Sequence, residues 1–101
     1  MTNLHHLRSL MGNDDALVAR IVGIFKNETP QQMAALRTFW ENQDWENAAN
    51  IAHAVKSQCR YFGLEREAAL CQQIEDEPAA TETSARLADL EGRLAAVLDA
   101  L

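Results

Sequence analysis

Residues 45–62 read WENAANIAHAVKSQCRYF and are followed at once by Gly63. At about 100° per residue, Trp45, Ala48, Ala52, Val55, Cys59 and Phe62 fall on one continuous apolar stripe, which makes this run an amphipathic helix with a single face turned to a core. His53 lies well over a quarter-turn from the centre of that stripe. A structural histidine would sit on it. Around His53 the helix instead sets Ala49, Asn50, Lys56, Ser57 and Arg60, a polar patch with small neighbours that is expected to face solvent and leave the imidazole open to another protein.

The flanking segments repeat the helical pattern. Asp44 is placed to cap the histidine helix, and Gly63 to end it in the left-handed conformation, so the next segment should return as an antiparallel neighbour. That neighbour, residues 64–76, offers Leu64, Ala68, Leu70 or Cys71, and Ile74 to the core and fails at Glu77-Pro78. From about Ser84, Leu87, Leu90, Leu94, Val97 and Leu101 recur in alternating steps of three and four, the seam of a helix packed into a bundle. Residues 77–83 are the one linker-like stretch.

Upstream, Asn13 or Asp14 can cap a long helix carrying Leu17, Ile21, Ile24, Phe25, Met33, Leu36, Phe39 and Trp40. Pro30 interrupts it, and the apolar phase continuing across the proline favours one kinked helix over residues 13–42 rather than a break. Residues 3–11, with Leu4, Leu7, Leu10 and Met11, form a short amphipathic helix that stops at Gly12 and lids one end of the core. The fold expected is all-α: one domain over residues 1–101, an antiparallel up-and-down four-helix bundle with a short N-terminal capping helix.

The chain has 101 residues, 48% of them hydrophobic, enough for one core and too few for two. A formal net charge of −6 argues against a nucleic-acid backbone or an anionic membrane surface as partner. The sign changes locally. No carboxylate occurs from Asn47 to Leu64, whereas Lys56 and Arg60 lie there and Arg66 just beyond, so a locally positive setting suited to a phosphoryl dianion is expected around His53. Cys59 and Cys71 fall on apolar helix faces and read as small buried hydrophobes of a reducing compartment. His5 and His6 are adjacent, point about 100° apart on a helix and cannot share a metal; no metal site is expected. With no apolar stretch near 18 residues and no signal peptide, a soluble cytoplasmic protein is expected, and a monomer, because the apolar stripes are used up within the bundle.

The stretch from Ala52 to Glu75 resembles the histidine phosphotransfer (HPt) domain of two-component phosphorelay systems, and the likeness spans nearly the whole chain. The family pattern is a histidine, a lysine three later, a small residue, usually glycine, four later and a glycine ten later. Here those positions are His53, Lys56, Ser57 and Gly63, with Asp44-Trp45 upstream and Leu70-Cys71 downstream. The resemblance implies a phosphoryl carrier rather than an enzyme. His53 would accept a phosphoryl group from the aspartate of a receiver domain, through Nε2, and pass it to another response-regulator receiver.

Each position has a physical reason. An exposed imidazole with a pKa near ~6.5 is largely neutral at cytoplasmic pH and so nucleophilic. Lys56, one turn on, can swing beside the phosphoryl group and offset its charge. Ala49, Asn50, Ser57 and Arg60 would meet the partner, and Gly63 makes the turn. No carboxylate is expected beside His53, so Mg²⁺ and the acceptor carboxylate would come with the partner receiver or hybrid sensor histidine kinase, and no cofactor with this domain. Ser57 departs from the usual glycine and is expected to narrow partner choice or slow transfer. It also keeps open a second reading, a non-phosphorylated helical docking or scaffold module for a receiver or sensor kinase. A small all-α enzyme ranks last, since no acid, base and nucleophile converge in the sequence.

Overall fold

The computed structural model describes residues 4–101, and among them the chain forms five helices and no strand. These are α1 (His5–Leu10), α2 (Asp15–Glu41), α3 (Trp45–Tyr61), α4 (Glu65–Asp76) and α5 (Thr83–Ala100). Each lies within two residues of its expected bounds; Asn3, expected in the first helix, falls outside the described residues. No described helix is long and apolar enough to cross a membrane.

Local chemistry sets the boundaries. The Asp14 carboxylate accepts the Leu17 N–H at 3.1 Å, and Asp44 accepts from the Asn47 N–H at 3.3 Å and from its side-chain amide at 2.7 Å. Both satisfy amide donors that a helix start leaves orphaned. Gly63 stands at φ +68°, and a Cβ there would approach the His6 Cβ to 3.1 Å. The turn needs glycine twice, for its backbone and for the close passage of α1.

Helix α2 runs unbroken through Pro30, as the single-helix reading expected. Its 27 residues at about 1.5 Å each span roughly 40 Å, and the molecule is 41 × 20 × 20 Å, so α2 sets its length. Beside the proline, buried Thr29 donates its hydroxyl to Gln58 Oε1 on α3 at 2.9 Å, tying the two helices where α2 lacks a backbone donor. Farther along, Phe25 and Phe62 meet with ring centroids 4.4 Å apart.

α3 packs against α2 on one side and α4 on the other, and α5 packs mainly on α4. Ala48, Ala52, Val55, Cys59 and Phe62 are all buried, as the stripe predicted, with Trp45 at its half-buried margin. Leu87, Leu90 and Leu94 of α5 and Ala68, Cys71 and Ile74 of α4 complete the core, and both cysteines are free thiols. On α2 the expected stripe is off by a residue. Val18 and Phe25 are buried, while Leu17 and Ile24 are 37% and 43% exposed. The sequence puts apolar residues at 17, 18, 21, 22, 24 and 25, a band wider than one neighbouring helix can cover. In α1 only Leu7 is buried, and Leu10, also expected to face the core, is 51% exposed.

Candidate functional site

His53 projects from the middle of α3 with 61% of its side chain exposed, on the face the periodicity assigned to it. Asn50, Ser57 and Arg60 are exposed beside it and Ala49 is half-buried. The Ser57 hydroxyl turns back to donate to the His53 carbonyl at 3.3 Å. The group that replaces the usual glycine is therefore spent on its own helix.

Lys56 is not where the sequence reading put it. It is only 5% exposed, and its Nζ donates to Glu75 Oε1 at 2.7 Å and to Gln72 Oε1 at 2.7 Å, both on α4. Gln72 in turn donates its amide to Asp76 at 2.7 Å. Three residues past His53 is a rotation of about 300°, which carries the lysine stem from the open face into the seam between α3 and α4. The stem is covered and the ammonium stays paired, as a buried charge requires.

The expectation that no carboxylate stands beside His53 is overturned by the same helix. Glu75 places its two oxygens 3.1 and 3.2 Å from His53 Nδ1. The setting is thus a balanced cluster rather than a bare positive patch. Along α3 from Asn47 onward the charges are positive, and the carboxylates come from α4, which folds against it. Hydrogen bonding from Lys56, and secondarily from His53, holds the Glu75 carboxyl below the usual carboxylate range, against the opposing effect of burial.

An ionised carboxylate can only accept hydrogen bonds. Nδ1 of His53 must then carry the proton, and in the neutral ring Nε2 keeps its lone pair. The hydrogen bond selects the tautomer and fixes the ring plane. Glu75 and Gln72 are the site residues that sequence reasoning missed. A signal for them exists in the tight turn at Gly63: His53 lies ten residues before it and Glu75 twelve after, so antiparallel return brings them level.

An imidazole oriented through one nitrogen and open at the other, exposed on a helical bundle, is an arrangement able to carry a group on histidine. The family model of the Hpt domain matches residues 20–101, and the chain belongs to that family. Hpt domains are phosphocarriers that serve histidine phosphotransfer in phosphorelays and interact with receiver domains of response regulators or kinases. Searches among curated proteins and among solved structures gave no match.

Proposed function

We propose that this chain is a phosphorelay intermediate in which His53 takes a phosphoryl group from the aspartate of one receiver domain and passes it to another. The observation that carries this reading is the bond from His53 Nδ1 to Glu75, which leaves Nε2 as the free, exposed nucleophile. In the loading step the Nε2 lone pair attacks phosphorus in line with the aspartyl oxygen. The N–P bond forms as the O–P bond breaks, and the electron pair returns to the aspartate carboxylate. Transfer onward is the reverse on a second receiver.

As the N–P bond forms, the ring gains positive charge. Glu75 already faces that charge across Nδ1–H and needs no rearrangement to stabilise it. Lys56 keeps Glu75 ionised, so it acts on the imidazole through the carboxylate. Mg²⁺ comes with the receiver, in keeping with the need of phosphoryl transfer for a metal beside the aspartate. The four long helices serve as an antiparallel up-and-down bundle, one domain, that holds α3 and α4 in register.

The test is phosphate transfer from a panel of phosphorylated receivers to the wild type and to His53→Ala. Acid-labile, base-stable label on the wild type alone is expected, with the fold of His53→Ala unchanged because an exposed side chain contributes little to stability. Receiver binding that survives in both proteins with no label in either would give the docking-module reading the field.

A further inference from the structure

Gln72, Glu75 and Asp76 stand at spacings of three and four on α4, which places them together on one face of the helix. Lys56 Nζ reaches Gln72 Oε1 and Glu75 Oε1, each at 2.7 Å, and the Gln72 amide nitrogen reaches Asp76 Oδ1 at 2.7 Å. The donors all run one way. An ammonium can only donate and a carboxylate can only accept. The amide at 72 therefore has a single orientation that satisfies both neighbours, with its oxygen toward Lys56 and its nitrogen toward Asp76.

Asp76 does not serve α4 itself. The helix ends at Asp76, its last turn holds no basic residue, and an acid there opposes the negative end of the helix dipole. Its side chain is exposed and makes no ion pair among the described residues; the bond it makes is to Gln72. The second observation concerns Glu75 Oε1, which is shared between Lys56 Nζ at 2.7 Å and His53 Nδ1 at 3.1 Å. A buried ammonium with that oxygen as its one acceptor would concentrate on it and compete with the ring. Gln72 takes a share of the ammonium without adding a charge. A carboxylate in its place would divide the counter-ion of Glu75 and set a further negative charge near a phosphoryl dianion.

We infer that Gln72 and Asp76 are positioning residues for phosphoryl transfer at His53: Asp76 fixes the Gln72 amide, and the neutral amide oxygen draws Lys56 off the Glu75 oxygen that orients the imidazole. The inference rests on the phosphorelay reading for its reaction, and the two can fail separately. Its consequences have opposite signs at one position. Gln72→Met keeps the length of the side chain and loses the oxygen, so Lys56 falls back on Glu75 and loosens the ring. Gln72→Glu pulls Lys56 the other way. Glu75 is then faced by Lys56 and His53 from α3 and by two carboxylates, at 72 and 76, from its own helix.

The experiment follows phosphorylation of His53 by phosphoramidate, a small donor that needs no partner, and by the receiver that loads the wild type fastest. The variants are Gln72→Met, Asp76→Ala, Asp76→Asn and, as a control at an exposed site on α4, Gln73→Met. Both rates should fall about three- to tenfold in Gln72→Met and about two- to threefold in Asp76→Ala, and stay within about 1.5-fold in Gln73→Met and in Asp76→Asn, which keeps an acceptor. Asp76→Ala should melt no lower than the wild type, since it removes an acid from a helix C-terminus. The Glu75 carboxyl, titrated by ¹³C NMR, should move to a higher midpoint in Gln72→Glu and not in Gln72→Met. Rates unmoved by either Gln72→Met or Asp76→Ala overturn the inference, as does an equal fall in Gln73→Met or a Glu75 midpoint that rises in both variants at 72. The phosphoramidate pattern intact with no loading from any receiver would sink the phosphorelay reading and leave the positioning roles standing.

Discussion

At the level of Lys56, Gln72 and Glu75 the seam between α3 and α4 is polar and opens to solvent at His53, whereas one turn nearer Gly63, at Cys59 and Cys71, it is dry. The two layers share the same pair of helices. In the dry layer the Cys59 thiol is pushed well up in pKa by its hydrogen bond to Cys71 and by burial, and stays protonated as a packing group. In the polar layer a charged lysine is buried to no packing advantage, since an apolar side chain of similar volume would fill the same space without desolvating an ion. What the polar layer supplies is orientation: a carboxylate kept ionised and aimed at one nitrogen of His53. The contrast separates residues that hold the bundle from residues that point the imidazole.

Substitutions on neighbouring positions of α4 should break the two layers in different ways. Ile74, fully buried, belongs to the packing; Ile74→Ala should lower unfolding stability by about 2–4 kcal/mol in a urea melt. Its transfer rate below the transition should stay near wild type. Glu75 belongs to the pointing. Glu75→Gln should slow phosphoryl transfer about tenfold to hundredfold in a single-turnover assay, and should also lower the melting temperature at neutral pH because it leaves the buried Lys56 ammonium without its counter-ion.

A pH series sharpens the same contrast. The Glu75 carboxyl is depressed in the folded protein, first by Lys56 and then by His53, so its stabilising contribution is fully present above the unfolded value near ~4.3. It is lost as the pH falls through the folded value. The stability gap between wild type and Glu75→Gln should therefore narrow as the pH is taken below about 4, while the gap for Ile74→Ala, which involves no titrating group, should not follow that course.

Ser57→Gly makes the smallest change. The serine hydroxyl is bonded to its own helix, so restoring the family's glycine should cost about 0.5 kcal/mol of helix stability and leave the transfer rate within a few-fold of wild type. A large gain in rate would mean that the serine, even turned inward, obstructs the partner.

The fold was readable because the two central helices carry local signals: Asp14 and Asp44 start α2 and α3, and Gly63 ends α3, each acting within three or four residues of itself. His53 was readable for a similar reason, since a residue's place on a helix face follows from counting along one element. Lys56 and Glu75 were not. Whether a long side chain leaves the surface depends on what the next helix offers it, and Glu75 reaches His53 only across a turn whose register the α3 pattern does not contain. On α2, six apolar residues in a band too broad for one neighbour left the choice between Val18 and Leu17, and between Phe25 and Ile24, to tertiary packing.

The most direct test of the account is the tautomer of His53, read from long-range ¹H–¹⁵N correlations of the imidazole in wild type and Glu75→Gln, followed by assignment of the phosphorylated nitrogen. A ring protonated on Nδ1 is expected in the wild type, a mixed population of tautomers in Glu75→Gln, and phosphate on Nε2. A wild-type ring protonated on Nε2, or phosphate carried on Nδ1, would contradict it.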